Sequence, residues 1–200
     1  MTENEWLAST DPAALLRYLN GGLSRAQRPS DRKLRLFAVA CCRLCPDQPW
    51  RDALAVDRYE DSLHGLGLTA GQWAYNWAAP HITSVLAATR AALLRDLVGN
   101  PFRPVQIRGL GPCPNCFHLP CACQNHWERG PGAGWLAWHN GTVAHIAHGI
   151  YDDRAFDRLP ILADALEEAG CDSTDLLAHL RSPGPHVRGC HVLDLLLGKD

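Results

Sequence analysis

The chain has 200 residues, 46% of them hydrophobic, and a formal charge of −2 at neutral pH. That length and apolar content suit one globular domain with at most a small appended module, and such a chain buries a core without covalent staples. The near-neutral balance argues against a generally basic nucleic-acid binder, and no run of about 18 apolar residues marks a membrane span.

In chain order, Met1-Thr2-Glu3-Asn4-Glu5 is acidic and polar. It lacks the basic start and apolar stretch of a secretory signal, so a cytoplasmic setting is expected. Thr10-Asp11-Pro12 supplies a cap and a first-turn proline for a helix carrying Leu15, Leu16 and Leu19, which Asn20-Gly21-Gly22 ends. Ser30 or Asp31 caps the next helix, with Leu34, Phe37, Ala38, Cys41 and Cys45 along one face and Pro46 as the stop. A further stripe runs from Pro49 to Leu63, through Trp50, Leu54 and Tyr59. Thr69-Ala70-Gly71-Gln72 has capping-box spacing ahead of Trp73 and Trp77. Pro80 splits that helix from a piece spanning His81 to Val98, ended by Gly99-Asn100-Pro101.

Composition then changes. From Gly99 to Gly134, glycine and proline are dense and helical periodicity vanishes, which marks a loop or insert. Helical patterning resumes at Thr142 to Tyr151, Pro160 to Ala169, and Thr174 to Arg181 with Asp172 or Ser173 as cap. After Ser182-Pro183-Gly184-Pro185, a last segment aligns His186, Cys190, Leu193 and Leu197 on one helical face.

The sharpest chemical signal lies in the insert, as Cys113-Pro114-Asn115-Cys116, then Cys121-Ala122-Cys123, then His126. Nine cysteines in a chain without a signal peptide read as thiols or metal ligands rather than disulfides. Zinc takes four soft or borderline ligands in a tetrahedron, and C-x2-C lets two thiolates chelate from one tight turn. Cys113, Cys116 and Cys121 supply three ligands, and either Cys123 or His126 supplies the fourth. The C-x2-C-x4-C-x4-H rhythm is that of a zinc knuckle with its last two ligand types exchanged. A dithiol redox motif should follow a strand and open a helix, but Pro120 follows too soon for that. Haem attachment needs histidine directly after the second cysteine, where Phe117 stands. Knuckles grip single-stranded nucleic acid through aromatics beside basic residues. Phe117 and Trp127 are suitable, but the basic partners reduce to Arg108 and Arg129.

Other groups read more plainly. His139, His145 and His148 lack the carboxylates that di-metal helices supply and read as solvated or core-edge residues. Cys171, His179, His186, Cys190 and His191 hold enough ligands for a site across two helices. Cys190, however, shares the stripe of Leu193 and Leu197, and buried cysteine is common. Arg25, Arg28, Arg32, Lys33, Arg35 and Arg43 read as a solvated basic face, or a dock for an acidic partner. Asp152, Asp153 and Asp157 with Arg154 and Arg158 read as an ion-paired surface. No phosphate loop, nucleophile elbow or zinc-protease motif occurs.

Several blocks resemble an uncharacterised family of planctomycete-type paralogues. They include Ser30-Asp31-Arg32-Lys33-Leu34-Arg35-Leu36-Phe37-Ala38 and Gly99-Asn100-Pro101-Phe102-Arg103-Pro104. The strongest runs from Ile150-Tyr151-Asp152-Asp153-Arg154-Ala155-Phe156-Asp157-Arg158 through Pro160-Ile161-Leu162, and the tail Gly184-Pro185-His186-Val187-Arg188-Gly189-Cys190 adds another. The resemblance implies no activity, substrate or catalytic residue. Similar sequences join Pro104 to the Trp135-Leu136 block by a short loop, so the cysteine cluster is an addition here. They carry tryptophan where this chain has His191, which implies a packing position.

The expectation is an all-α domain from residues 1–108 and 135–200, interrupted by a zinc-binding insert at 109–134. The expected role is a non-enzymatic interaction or scaffold protein with structural zinc and a protein partner. The alternatives are a knuckle-type nucleic-acid binder and, third, a metal- or thiol-dependent enzyme. No membrane partner is expected.

Overall fold

Apolar residues at helical spacing, punctuated by caps, glycines and prolines, make helices wherever the chain is described. The computed structural model describes residues 1–44, 84–105 and 131–199. Among them are nine α-helices and no strand. They are α1 (Glu3–Ala8), α2 (Pro12–Gly21), α3 (Asp31–Arg43), α4 (Ser84–Val98), α5 (Pro131–Ala137), α6 (Thr142–Asp153), α7 (Leu159–Glu168), α8 (Thr174–Arg181) and α9 (His191–Leu197). The fold class is all-α, as expected. The segments expected to be helical between Pro49 and Pro80 lie outside the described residues, as does Cys45.

The described residues group into two compact units. Of the described residues, the first comprises 1–44, 84–104 and 184–189. Its first two helices start on side-chain caps. Thr2 accepts from the Glu5 N–H, while the Glu5 carboxylate accepts the Thr2 N–H at 2.7 Å. Asp11 accepts from the Ala13 N–H at 2.9 Å, with Pro12 opening α2. Trp6, Leu15, Leu16, Leu19, Phe37 and Leu94 are at most 1% exposed and form the centre of this core. α4 packs against both α2 and α3. Arg95 on α4 ties down the end of α1, donating to the Trp6 and Ser9 carbonyls at 3.0 and 2.8 Å. Those carbonyls are ones the short helix leaves unsatisfied.

Of the described residues, the second unit comprises 105, 131–183 and 190–199. α7 packs on α6 and α8, and α9 packs on α6. Val143, Ala147, Leu162, Leu166, Leu176, Leu180 and Leu193 are fully buried. Gly170, at φ +90°, ends α7 in the left-handed turn that glycine takes without a Cβ clash. There the Cys171 N–H returns to the Leu166 carbonyl at 2.8 Å. Arg181 then bridges α8 to α7, reaching Asp164 at 2.7 Å and Glu167 at 2.6 Å.

Three elements differ from expectation. α1 is a helix that the apolar pattern does not announce, although Thr2 and Glu5 have capping-box spacing. α5 begins at Pro131, inside the stretch assigned to the insert. The third concerns the last segment, where helix begins only at His191. His186 therefore does not share a helical face with Leu193. Gly184 and Gly189 adopt φ +86° and +93°, and Pro185 between them has no N–H to donate, so the helix cannot start earlier.

Candidate metal centre

Cys113, Cys116, Cys121, Cys123 and His126 lie outside the described residues. Within each of the two compact units, the described residues bring other ligand types into close pairs. Asp96 lies near the end of α4, between Leu93 and Leu97, and is 3% exposed. Its Oδ1 is 2.7 Å from Nδ1 of His186, and its Oδ2 accepts the Val187 N–H at 3.0 Å. The non-helical run between Gly184 and Gly189 thus presents a ring nitrogen and an amide to the two oxygens of one carboxylate.

His179 stands in the last turn of α8, and Cys190 occupies the residue before α9. Nε2 of His179 is 3.2 Å from Sγ of Cys190. The His191 ring packs on the His179 ring with centroids 4.3 Å apart, a packing role of the kind expected for that position. Asp96 and His186 thus form a close pair inside the first unit, and His179 and Cys190 form another inside the second. Asp96 and Cys190 are buried, and the two histidines are partly buried.

The sequence grouped His179, His186 and Cys190 with Cys171 and His191; the structure pairs His186 with Asp96 in the first unit and His179 with Cys190 in the second. Cys171 follows the left-handed turn after α7 and packs into the second unit's core, 4% exposed. Burial pushes its thiol up from the ordinary range, against an opposing backbone hydrogen bond from Ser173. Asp96 was not singled out from the sequence because an isolated carboxylate carries no spacing motif. The available signal was its position between Leu93 and Leu97 on an apolar helix, where a charge is costly unless it has partners.

The remaining groups sort as follows. His139, His145 and His148 are exposed, and among the described residues they join no ligand cluster. His139 stacks on Trp138 with centroids 4.0 Å apart. Cys41 is buried in the first core, as its stripe predicted. Lys33 does not belong to a solvated basic face: it is 7% exposed and donates to the Gly189 carbonyl at 2.6 Å. In the acidic surface group, Arg158 reaches Asp153 at 3.9 Å.

Compared with models of known protein families, with curated proteins and with solved structures, the chain matches none. Among the described residues no helix is long and apolar enough to cross a membrane.

Proposed function

We propose that this protein is a non-enzymatic interaction or scaffold protein in which a helical frame presents a zinc-stapled insert to a protein partner. The observation that carries this reading is the run Cys113, Cys116, Cys121, Cys123 and His126 within one short, proline-rich stretch. Four cysteines in eleven residues are an oxidation liability unless a metal holds them. C-x2-C spacing supplies the first chelate pair and Cys121 the third ligand. Cys123 or His126 completes the tetrahedron. The sequence agrees: the apolar helical stripes lie outside residues 109–134, which makes the insert a feature added to the frame. A cytoplasmic setting, where thiolates stay reduced, goes with this reading.

Elemental analysis of the purified chain tests it. Joint Cys113→Ser and Cys116→Ser substitution should remove one equivalent of zinc and leave far-ultraviolet helicity in place. Zinc content unchanged by that double substitution would rule the insert site out. The knuckle-like rhythm, with Phe117 and Trp127 beside it, favours a nucleic-acid partner as the second reading. Gel shifts on single-stranded RNA and DNA at several salt concentrations separate the two. Phosphate contacts give a steep salt slope, and a protein-binding scaffold gives no shift.

A further inference from the structure

We propose that a row of arginines along α3 is a docking surface for an acidic segment of a partner protein, one that carries an apolar side chain among its carboxylates. This rests on the reading of the chain as an interaction protein and assigns the partner's chemistry. Leu34, Phe37, Ala38 and Cys41 are buried on one side of α3. Arg32, Arg35, Val39 and Arg43 are partly exposed, and their spacings of three and four residues align them along the opposite side. Arg25 and Arg28, both exposed, lead into the helix. Between Arg25 and Arg43 the one carboxylate is Asp31.

The charge balance of each unit points the same way. Of the described residues, the first unit holds eleven arginines and lysines against five carboxylates, a balance of +6. The second holds four against nine, a balance of −5. Residues 45–83, with two arginines and five carboxylates in sequence, lie outside this count. The small net charge of the chain thus conceals units of opposite sign, and an acidic partner is steered toward the first.

The make-up of the row selects a protein segment over a nucleic-acid strand. Single-strand binders set aromatic side chains beside basic ones so that bases can stack. Here the side chain between Arg35 and Arg43 is Val39, which offers a small apolar contact instead. Guanidinium groups pair bidentately with carboxylates. Arg35, Val39 and Arg43 are each about one helical turn apart, so a helix with an apolar residue flanked by carboxylates one turn to each side matches them.

Fluorescence anisotropy on the full-length chain tests this with a labelled glutamate-rich peptide. The peptide carries a central leucine and a glutamate four residues to each side of it. Binding should saturate and should weaken as salt rises. Arg35→Gln and Arg43→Gln should each weaken it by roughly 1.5–5-fold, the range of an exposed ion pair. Val39→Ser should weaken it at high salt as well, where ion pairs are screened. Arg158→Gln, at an exposed arginine of the second unit, should leave it unchanged. If the changes within α3 impair folding, Arg25→Gln and Arg28→Gln, at exposed positions ahead of the helix, should show the same range.

No peptide binding at low salt overturns the proposal, as does binding indifferent to all four arginine substitutions. Tighter binding of a labelled single-stranded oligonucleotide, lost in the same variants, would overturn the protein assignment and make the row a phosphate track. Salt-sensitive self-association removed by those substitutions would put a second copy of this chain in the partner's place. The zinc reading stands or falls separately. Cys113→Ser with Cys116→Ser should remove the metal and leave peptide affinity unchanged, and affinity lost in that variant would move the docking surface from the row to the insert.

Discussion

Gly189 has to be glycine for two separate reasons. Its φ of +93° disfavours any L side chain, and a Cβ there would lie 2.5 Å from Cδ1 of Leu36 and 2.8 Å from Cδ2 of Leu97. Both leucines belong to the first core. Gly189→Ala should therefore destabilise by about 1–3 kcal/mol through overpacking alone, read as a lower urea midpoint with an unchanged slope. An unshifted midpoint would show that the 184–189 run relaxes freely. Cys171 makes a different prediction at the same scale. Burial raises its folded pKa, so the unfolded chain ionises first as pH rises. The stability this thiol contributes is present in full below the ordinary thiol range and is lost as pH climbs through its higher folded value. The urea midpoint should thus fall more steeply above about pH 8.5 in the native chain than in Cys171→Ala. Equal slopes would mean that the thiol is as well solvated folded as unfolded.

Helices with an apolar stripe and clear punctuation were legible in the sequence. α2, α6, α7 and α8 fall within a residue or two of their expected limits, although of these only α2 carries a side-chain cap hydrogen bond. The tail was not legible in the same way. Its apolar spacing continues backwards through Cys190 to His186, and periodicity cannot see that two glycines have left the helical region. The same blind spot hid Asp96, which packing inside the first unit pairs with His186. α9 itself is docked: Leu193 is fully buried, and α9 packs against α6. Leu193→Ala should cost roughly 2–5 kcal/mol by cavity formation, measurable by chemical denaturation. Wild-type stability in that variant would mean α9 is not part of the second core in solution.

At the scale of the molecule, lysine is the scarcest charged residue. Lys33 and Lys199 are the two in the chain. Lys199 lies near the C-terminus with its ammonium 4.6 Å from the Tyr151 ring centre. Lys33 is sealed into the first core and bonded to a backbone carbonyl. A lysine in that position reacts with amine-directed reagents only when the surrounding structure opens. Acylation of the native protein should therefore mark Lys199 and the α-amine readily while sparing Lys33, as peptide mass spectrometry would show. The Lys33 rate should rise with urea along the unfolding curve, and early modification in its absence would contradict the burial. One side chain whose charge is costly to hide thus becomes an internal clock for how often this fold breathes.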